Sequence, residues 1–392
     1  MQRLGLSDAD LRTYNRGLTG THWRRIHIEV LTLDGDLVST LTPDALDGQV
    51  MVDTTGGADA PTRILDLTFL DPSRSIQFEP DSPGDAPLHR KRMIRVIDSR
   101  RIPALGDWVD CEVFTGPIWD FDREGAVVSV VAHGLERQAM GNKWTPHTYP
   151  KRTKKTEAIK DLLADAGENR LGGIADMPAR MPERMTITRM DTIWPRARRL
   201  ASSMDRQLFY PGTGVPVLRK IPSRPVFTFD DRHLLTDVKL DRDPEGVFNT
   251  FVAVGSKGKR KGSKKRPQAI DALPPGHPLS AKSLARNDTP LRLVQREENR
   301  QIKTAAEAKA RARRMRDDAE KVLVNFSFDC LPIPHLDEND LIKVRCDDGT
   351  LLVRLKQFSL PLGYDGAPPM TIGAIKRTTG SYSHRGHRKG GR

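Results

Sequence analysis

The chain is poor in cysteine and in aromatic residues, and it has no long apolar run. Its three cysteines, Cys111, Cys330 and Cys346, are odd in number and far apart. None has a CxxC partner or a histidine at zinc-ligand spacing, so they read as reduced, partly buried small hydrophobes. Aromatic residues make up 6% of the chain. They do not interleave with base-reading residues as in RNA-binding sheets, which argues against sequence-specific nucleic-acid recognition. No stretch reaches the ~20 apolar residues of a membrane-spanning helix. The segment MQRLGLSDADLRTYNRG lacks the apolar core of a secretory signal, which predicts synthesis in the cytoplasm.

The motifs of familiar enzymes are missing too. There is no GxSxG, no HExxH, no P-loop and no dinucleotide fingerprint after a strand. The histidines are scattered, and His384 and His387 have no carboxylate or thiol beside them. The acid pairs Asp241/Asp243 and Asp337/Asp340 sit in polar stretches. They read as solvated turn residues, with nothing apolar nearby to shift a pKa. No catalytic residue, metal or cofactor is expected.

What the chain has is length, turns and positive charge. Its 392 residues suit two to four compact units, and 28 prolines with 31 glycines imply many turns. The net charge of +13 is concentrated in two runs. One is KGKRKGSKKR, with Lys257, Lys259, Arg260, Lys261, Lys264, Lys265 and Arg266; the other is the tail His384–Arg392. Blocks of like charge repel themselves, so both read first as solvated, disordered segments. They are also candidate contacts for an anionic surface, DNA or a partner protein.

Periodicity organises the rest. After a short N-terminal segment (1–20), with Ser7 as a helix cap, strand patterns recur to about residue 145. Ile26, Ile28 and Val30 form one face of the first, and Leu65, Leu67 and Phe69 one face of a later one. Such spacing predicts an antiparallel barrel or sandwich. Residues 150–222 change period. A helix begins near Thr156, its cap, and stops at Gly167; a second follows Asp191; then comes a hairpin around PGTG. Residues 235–254 read as another hairpin, with Asn249 bonding backbone at a strand crossing. A basic, Pro-rich loop follows over 257–303. Thr304 and Glu307 form a capping box for a helix over 304–322, with Ala306, Ala310, Met315 and Ala319 as its apolar stripe. The strands of 322–377 close the pattern, including a hairpin at CDDGT. Trp108, Trp119, Phe209 and Tyr210 read as core, and Trp23 as an exposed anchor.

The expected fold is therefore mainly β (α+β). Two barrel-like antiparallel domains, 20–145 and 223–256 with 322–377, are separated by a small α+β unit and a long helix, with a basic tail over 378–392. The order of these elements resembles the tail-hub, or minor tail, proteins of siphophages infecting actinobacteria. The stretches that carry it are GQVMVDTTGGADAPTRILDLTFLDP, GAVVSVVAHGLERQAMG, EAIKDLLADAG, RHLLTDVKLDRDPEGVFNTFVAVG and PIPHLDENDLIKV with FSLPLG. The resemblance implies a structural virion protein similar to the baseplate hub of contractile tails. It implies a trimeric ring whose two barrels per subunit give pseudo-sixfold symmetry. Its partners would be the tail tube and distal tail proteins, the tape-measure protein, tip or fibre proteins, and transient DNA in the lumen. A hexameric distal tail ring, a basic nucleic-acid-binding protein and a cell-wall hydrolase are the rival expectations.

Overall fold

The computed structural model describes the chain except residues 3, 42, 44, 56–60, 75, 77–87, 89–90, 243–247, 256–265, 278, 300–301, 303, 321–323, 347–348, 364–368 and 377–392. With 43% strand and 16% helix, the protein is mainly β, as its alternating patterns predict. It divides into two compact units, Met1–Lys239 with Ser327–Ala374, and Leu240–Phe326 with Ile375–Arg392.

The first unit begins with helix α1 (Asp8–Gly17), where the Ser7 hydroxyl accepts the Asp10 amide at 3.2 Å, as the cap signal predicts. Strands β1 (Trp23–Thr32), β2 (Leu37–Leu41), β3 (Ala45–Asp53), β4 (Arg63–Leu70), β5 (Arg92–Arg101), β6 (Trp108–Glu124) and β7 (Val127–His133) follow. Short helix α2 (Glu136–Ala139) leads to β8 (His147–Tyr149), α3 (Lys155–Asp165), β9 (Met185–Ile187), α4 (Ile193–Ser202), and the β10 (Gln207–Phe209) and β11 (Val217–Arg219) hairpin. Then come β12 (Phe227–Phe229) and β13 (Lys239–Arg242). The later elements are β14 (Thr250–Gly255), β15 (Gln268–Ala272), β16 (Val294–Asn299), α5 (Ala305–Glu320), β17 (Val324–Cys330), β18 (Leu341–Cys346), β19 (Gly349–Pro361) and β20 (Met370–Lys376).

The early and late strands share one sheet, ordered β17-β20-β19-β3-β4-β7-β6-β5-β1-β2, with β18 on β19 and β12 parallel to β18. Two long strands change partner midway. β6 pairs with β5 over Trp108–Pro117 and with β7 over Ile118–Glu124. β19 pairs with β18 over Gly349–Arg354 and with β3 over Gln357–Pro361. Alternation decides which side chains are covered: Ile26, Ile28 and Val30 of β1, and Leu65, Leu67 and Phe69 of β4, are all buried.

The α+β segment shares a core with Leu31 of β1 and Met93 of β5. Ile159, Leu162 and Leu163 of α3 meet Ile193, Ala197, Leu200 and Ala201 of α4, with Trp194 tilted against Tyr210. Thr156 is not the cap of α3. That position falls to Lys154, and the Thr156 hydroxyl is buried and accepts the Met177 amide at 3.4 Å. Asp191 likewise precedes the cap, Thr192, and accepts from Thr188 and Arg196 instead. In both places an acceptor was visible in the sequence, but a neighbouring segment claims it.

In the second unit, β14 is the central strand of a three-stranded sheet, antiparallel to β15 and parallel to β16. The hairpin expected over 235–254 therefore does not form. Residues 235–238 are not strand, and β14 takes its partners from the stretch read as loop. Asn249 explains the change. Its buried amide donates to the Leu291 carbonyl and accepts from the Leu293 amide, both at 2.9 Å, which ties the start of β14 to the approach of β16. Helix α5 covers this sheet. Its capping box forms in both directions, between Thr304 and Glu307, at 3.2 Å each. The buried stripe is Ala308, Ala312 and Met315, packed on Phe251 and Ala253, whereas Ala306 and Ala310 are exposed. The phase follows from two ion pairs, Arg311 to Glu297 and Arg316 to Asp271, that fasten the helix to its sheet.

Three substitutions test this packing and the α5 cap. Gly48 in β3 has φ +140°, and a Cβ there would stand 2.3 Å from the Asp66 carbonyl oxygen. Gly48→Ala is expected to lower unfolding free energy by about 1–3 kcal/mol. Gly172→Ala, which meets nothing within 4 Å, should stay within about 0.5 kcal/mol of the parent. Denaturant titration separates them, and equal midpoints would refute the close-approach account. Thr304→Ala should cost about 1 kcal/mol, read as loss of α5 amide protection in hydrogen exchange.

Candidate functional site

The polar centre of the first unit is the irregular loop Ile333–Asp340, buried at every residue except Asn339. Its backbone is tied to β19: Asn339 N donates to the Leu355 carbonyl, and Leu355 N donates to the Asp340 carbonyl. Asp337 and Asp340 are not solvated turn residues, as the sequence suggests. Both are buried, and cations from remote segments converge on them. The Arg63 guanidinium of β4 lies 3.4 Å from Asp337 and also donates to the Val113 carbonyl at 2.8 Å. Arg219 of β11 reaches Asp340 at 3.2 Å and the Glu338 carbonyl at 2.8 Å. The Met1 amine stands 2.5 Å from Asp340, and the Asp337 amide donates back to that carboxylate at 2.9 Å. The local pattern DEND looks wet because its partners are more than a hundred residues away.

Burial dominates the ionisation of this loop. It raises Asp340, with Asp337 adding to the effect against the Met1 amine and Arg219. It pushes Glu338 up to about 7 despite the hydrogen bond from the Gln207 amide. It lowers His335 to about 3, helped by the Met1 amine and Arg100 against Asp337. His335 meets Tyr14 edge-on at 5.6 Å and Phe227 at 6.0 Å, an apolar setting that suits the neutral ring. Nearby, burial also works against ionised Asp98, but Arg100 and Arg24 outweigh it and hold its carboxyl below the usual range. Arg24 also donates to the Pro361 and Gly363 carbonyls. These groups hold strands together. Among the described residues no three His, Cys, Asp or Glu side chains gather as a metal site.

The basic run gives no assembled site here. Lys257, Lys259, Arg260, Lys261, Lys264 and Lys265 lie outside the described residues. Arg266 is exposed and pairs with Glu298 of β16 at 3.4 Å.

The surface feature that sequence reading missed is an aromatic groove. Trp119, expected in the core, is 48% exposed. It falls at the register shift between Ile118 and Asp120, where β6 meets β7, and an irregularity of this kind re-aims a side chain. His133 of β7 stacks on the indole at 4.9 Å, and the Arg137 guanidinium of α2 lies 4.6 Å from its centroid. Pro117, Trp119, Asp120, Arg137, Met140 and Gly141 line a groove of about 760 Å³ beside it. Trp108 is half-buried under Arg25, and Trp23 is exposed as expected.

The buried imidazole makes stability depend on pH. Above pH 6.5 His335 is neutral whether folded or unfolded; between 6.5 and about 3 only the unfolded chain takes the proton, so stability falls as pH falls. His335→Phe keeps an aromatic ring without the titration. Its stability relative to the parent should grow by up to about 1.4 kcal/mol per pH unit on going from pH 6 to pH 4. A pH-independent difference in urea midpoints would show that His335 is protonated in the folded state.

No protein-family profile and no curated protein sequence matches this chain. Solved structures do. The 43 kDa tail protein of prophage MuSo2 from Shewanella oneidensis aligns with TM-score 0.61 and 13% identity, over 90% of this chain and 98% of that one. The tail protein from Neisseria meningitidis MC58 aligns with TM-score 0.57 and 13% identity, over 90% and 96%. The prophage tail protein gp18 from Listeria monocytogenes EGD-e aligns with TM-score 0.51 and 11% identity, over 90% and 95%. The likeness thus runs nearly end to end in both partners of each comparison, and the chain has the fold of phage tail proteins.

Proposed function

We propose that this chain is a structural virion protein of a long-tailed bacteriophage. In this reading it forms the hub ring of the tail tip, which joins the tail tube to tip or fibre proteins and through which the genome leaves. The carrying observation is the fold shared with prophage tail proteins across 90% of the chain. The strands β1 to β7 act as one barrel-like domain and β12 with β17 to β20 as the other, and residues 150–222 as an insert. Three copies would then present six related domains to a sixfold tube.

The tape-measure protein, distal tail protein and tip proteins are its partners. The basic run Lys257–Arg266 contacts an anionic surface among them or DNA in transit. A charge-only contact of that kind is strongly salt-dependent. The reading assigns no catalytic step and no cofactor to this chain.

Light scattering of the purified chain after size exclusion, at low and high salt, tests the reading. A salt-resistant trimer free of nucleic acid is expected. A hexamer would replace the hub with a distal tail ring. A monomer that carries nucleic acid until salt removes it would overturn the structural role.

A further inference from the structure

Exposed apolar residues continue along the chain beyond the groove beside Trp119. Asn142 bridges Thr192 in antiparallel fashion, Lys143 N donates to the Asp191 carbonyl, and Ile193 N donates to the Gly141 carbonyl. Trp144 and Met190 are the next residues along these two segments. They are the two most exposed large hydrophobic residues described, at 83% and 85%. Gly141, where this pair of segments begins, also lines the groove. Trp119, Met140, Trp144 and Met190 thus follow one another along neighbouring segments of one unit. Large side chains left this wet in sequence mark a surface that another molecule covers.

The composition narrows the occupant. Tryptophan, methionine and arginine are the residues enriched where protein partners anchor. Methionine adapts its shape to an apolar guest. The charged residues here are Arg137, over the indole, Asp120, which also lines the groove, and Arg189, exposed and next to Met190 in sequence. Neither arginine has a carboxylate partner among the described residues. The groove is lined by residues of β6, of α2 and of the stretch just after α2. An amphipathic helix enters an apolar groove of this kind through its side chains. A groove of about 760 Å³ accommodates two or three large apolar side chains of such a helix.

We propose that the Trp119 groove, continued by Trp144 and Met190, docks an amphipathic helix with acidic flanks from another polypeptide. Within the assembly reading above, on which the identity of the partner rests, this is a segment of a neighbouring tail protein. The acidic flanks meet Arg137 and Arg189, and the apolar face covers the two tryptophans.

The probe is a synthetic helix of about five turns, with leucines on one face and glutamates on the other. It is titrated into the full chain by calorimetry and by tryptophan fluorescence. A counterpart with lysines for glutamates is the control. The acidic helix is expected to bind at least about tenfold more tightly than the basic one, and Trp119→Ala and Arg137→Ala should each weaken it by about tenfold or more. Trp144→Ala with Met190→Ala should do the same, and since these side chains are exposed the fold survives their loss. No binding, equal binding of the two helices, or binding that survives the substitutions overturns the proposal. A change in subunit count caused by the variants also overturns it, because the occupant would then be a second copy of this chain. Subunit count of the parent alone decides the ring reading, so the two can fail separately.

Discussion

Compensation of buried charge at Asp337 and Asp340 is the constraint around which the first unit closes. An isolated carboxylate away from water is too costly to keep, and here two lie one turn apart. The cations that answer them come from β4, from β11 and from the chain start. Each of these segments must therefore be in place before the loop can be dry. Such a network contributes little net stability compared with a well-packed apolar core, and removing one member leaves an unanswered charge. An arrangement that leaves Asp337 or Asp340 without these cations is therefore disfavoured.

The same principle operates at smaller scale elsewhere. Arg24 and Arg100 clamp Asp98 across β1 and β5 while Arg24 reaches the end of β19. In the second unit Arg311 and Arg316 anchor α5 to its sheet. These arginines are already paired within the chain, so net charge alone overstates how much of it is offered to a partner.

Local signals were legible where local physics decides. The α1 cap at Ser7, the Thr304–Glu307 box, the alternation of β1 and β4 and the backbone role of Asn249 all follow from spacing and residue type. Illegible features depend on partners far away in sequence. DEND reads as wet until Arg63 and Arg219 are seen beside it. Residues 235–254 read as a hairpin until Leu291 and Leu293 are found holding Asn249. The polar stretch VQREEN of β16 has weak strand preference, and it is a strand because β14 offers it an edge. Trp119 shows the limit for surfaces: period-2 reasoning places it, but a shift in register moves it, and no residue type nearby announces that shift.

The long strands β6 and β19 have a mechanical consequence. A strand of 17 residues, as β6 is, runs for about 55 Å at roughly 3.3 Å per residue. Because each strand serves one neighbour with its first half and another with its second, no loop interrupts the path between the two regions of sheet. Tension applied at one end passes along covalent backbone to the other. The hydrogen bonds on either side are loaded in shear, where many must break together. A molecule built this way resists being pulled lengthwise far better than one whose sheets are joined by a flexible connection.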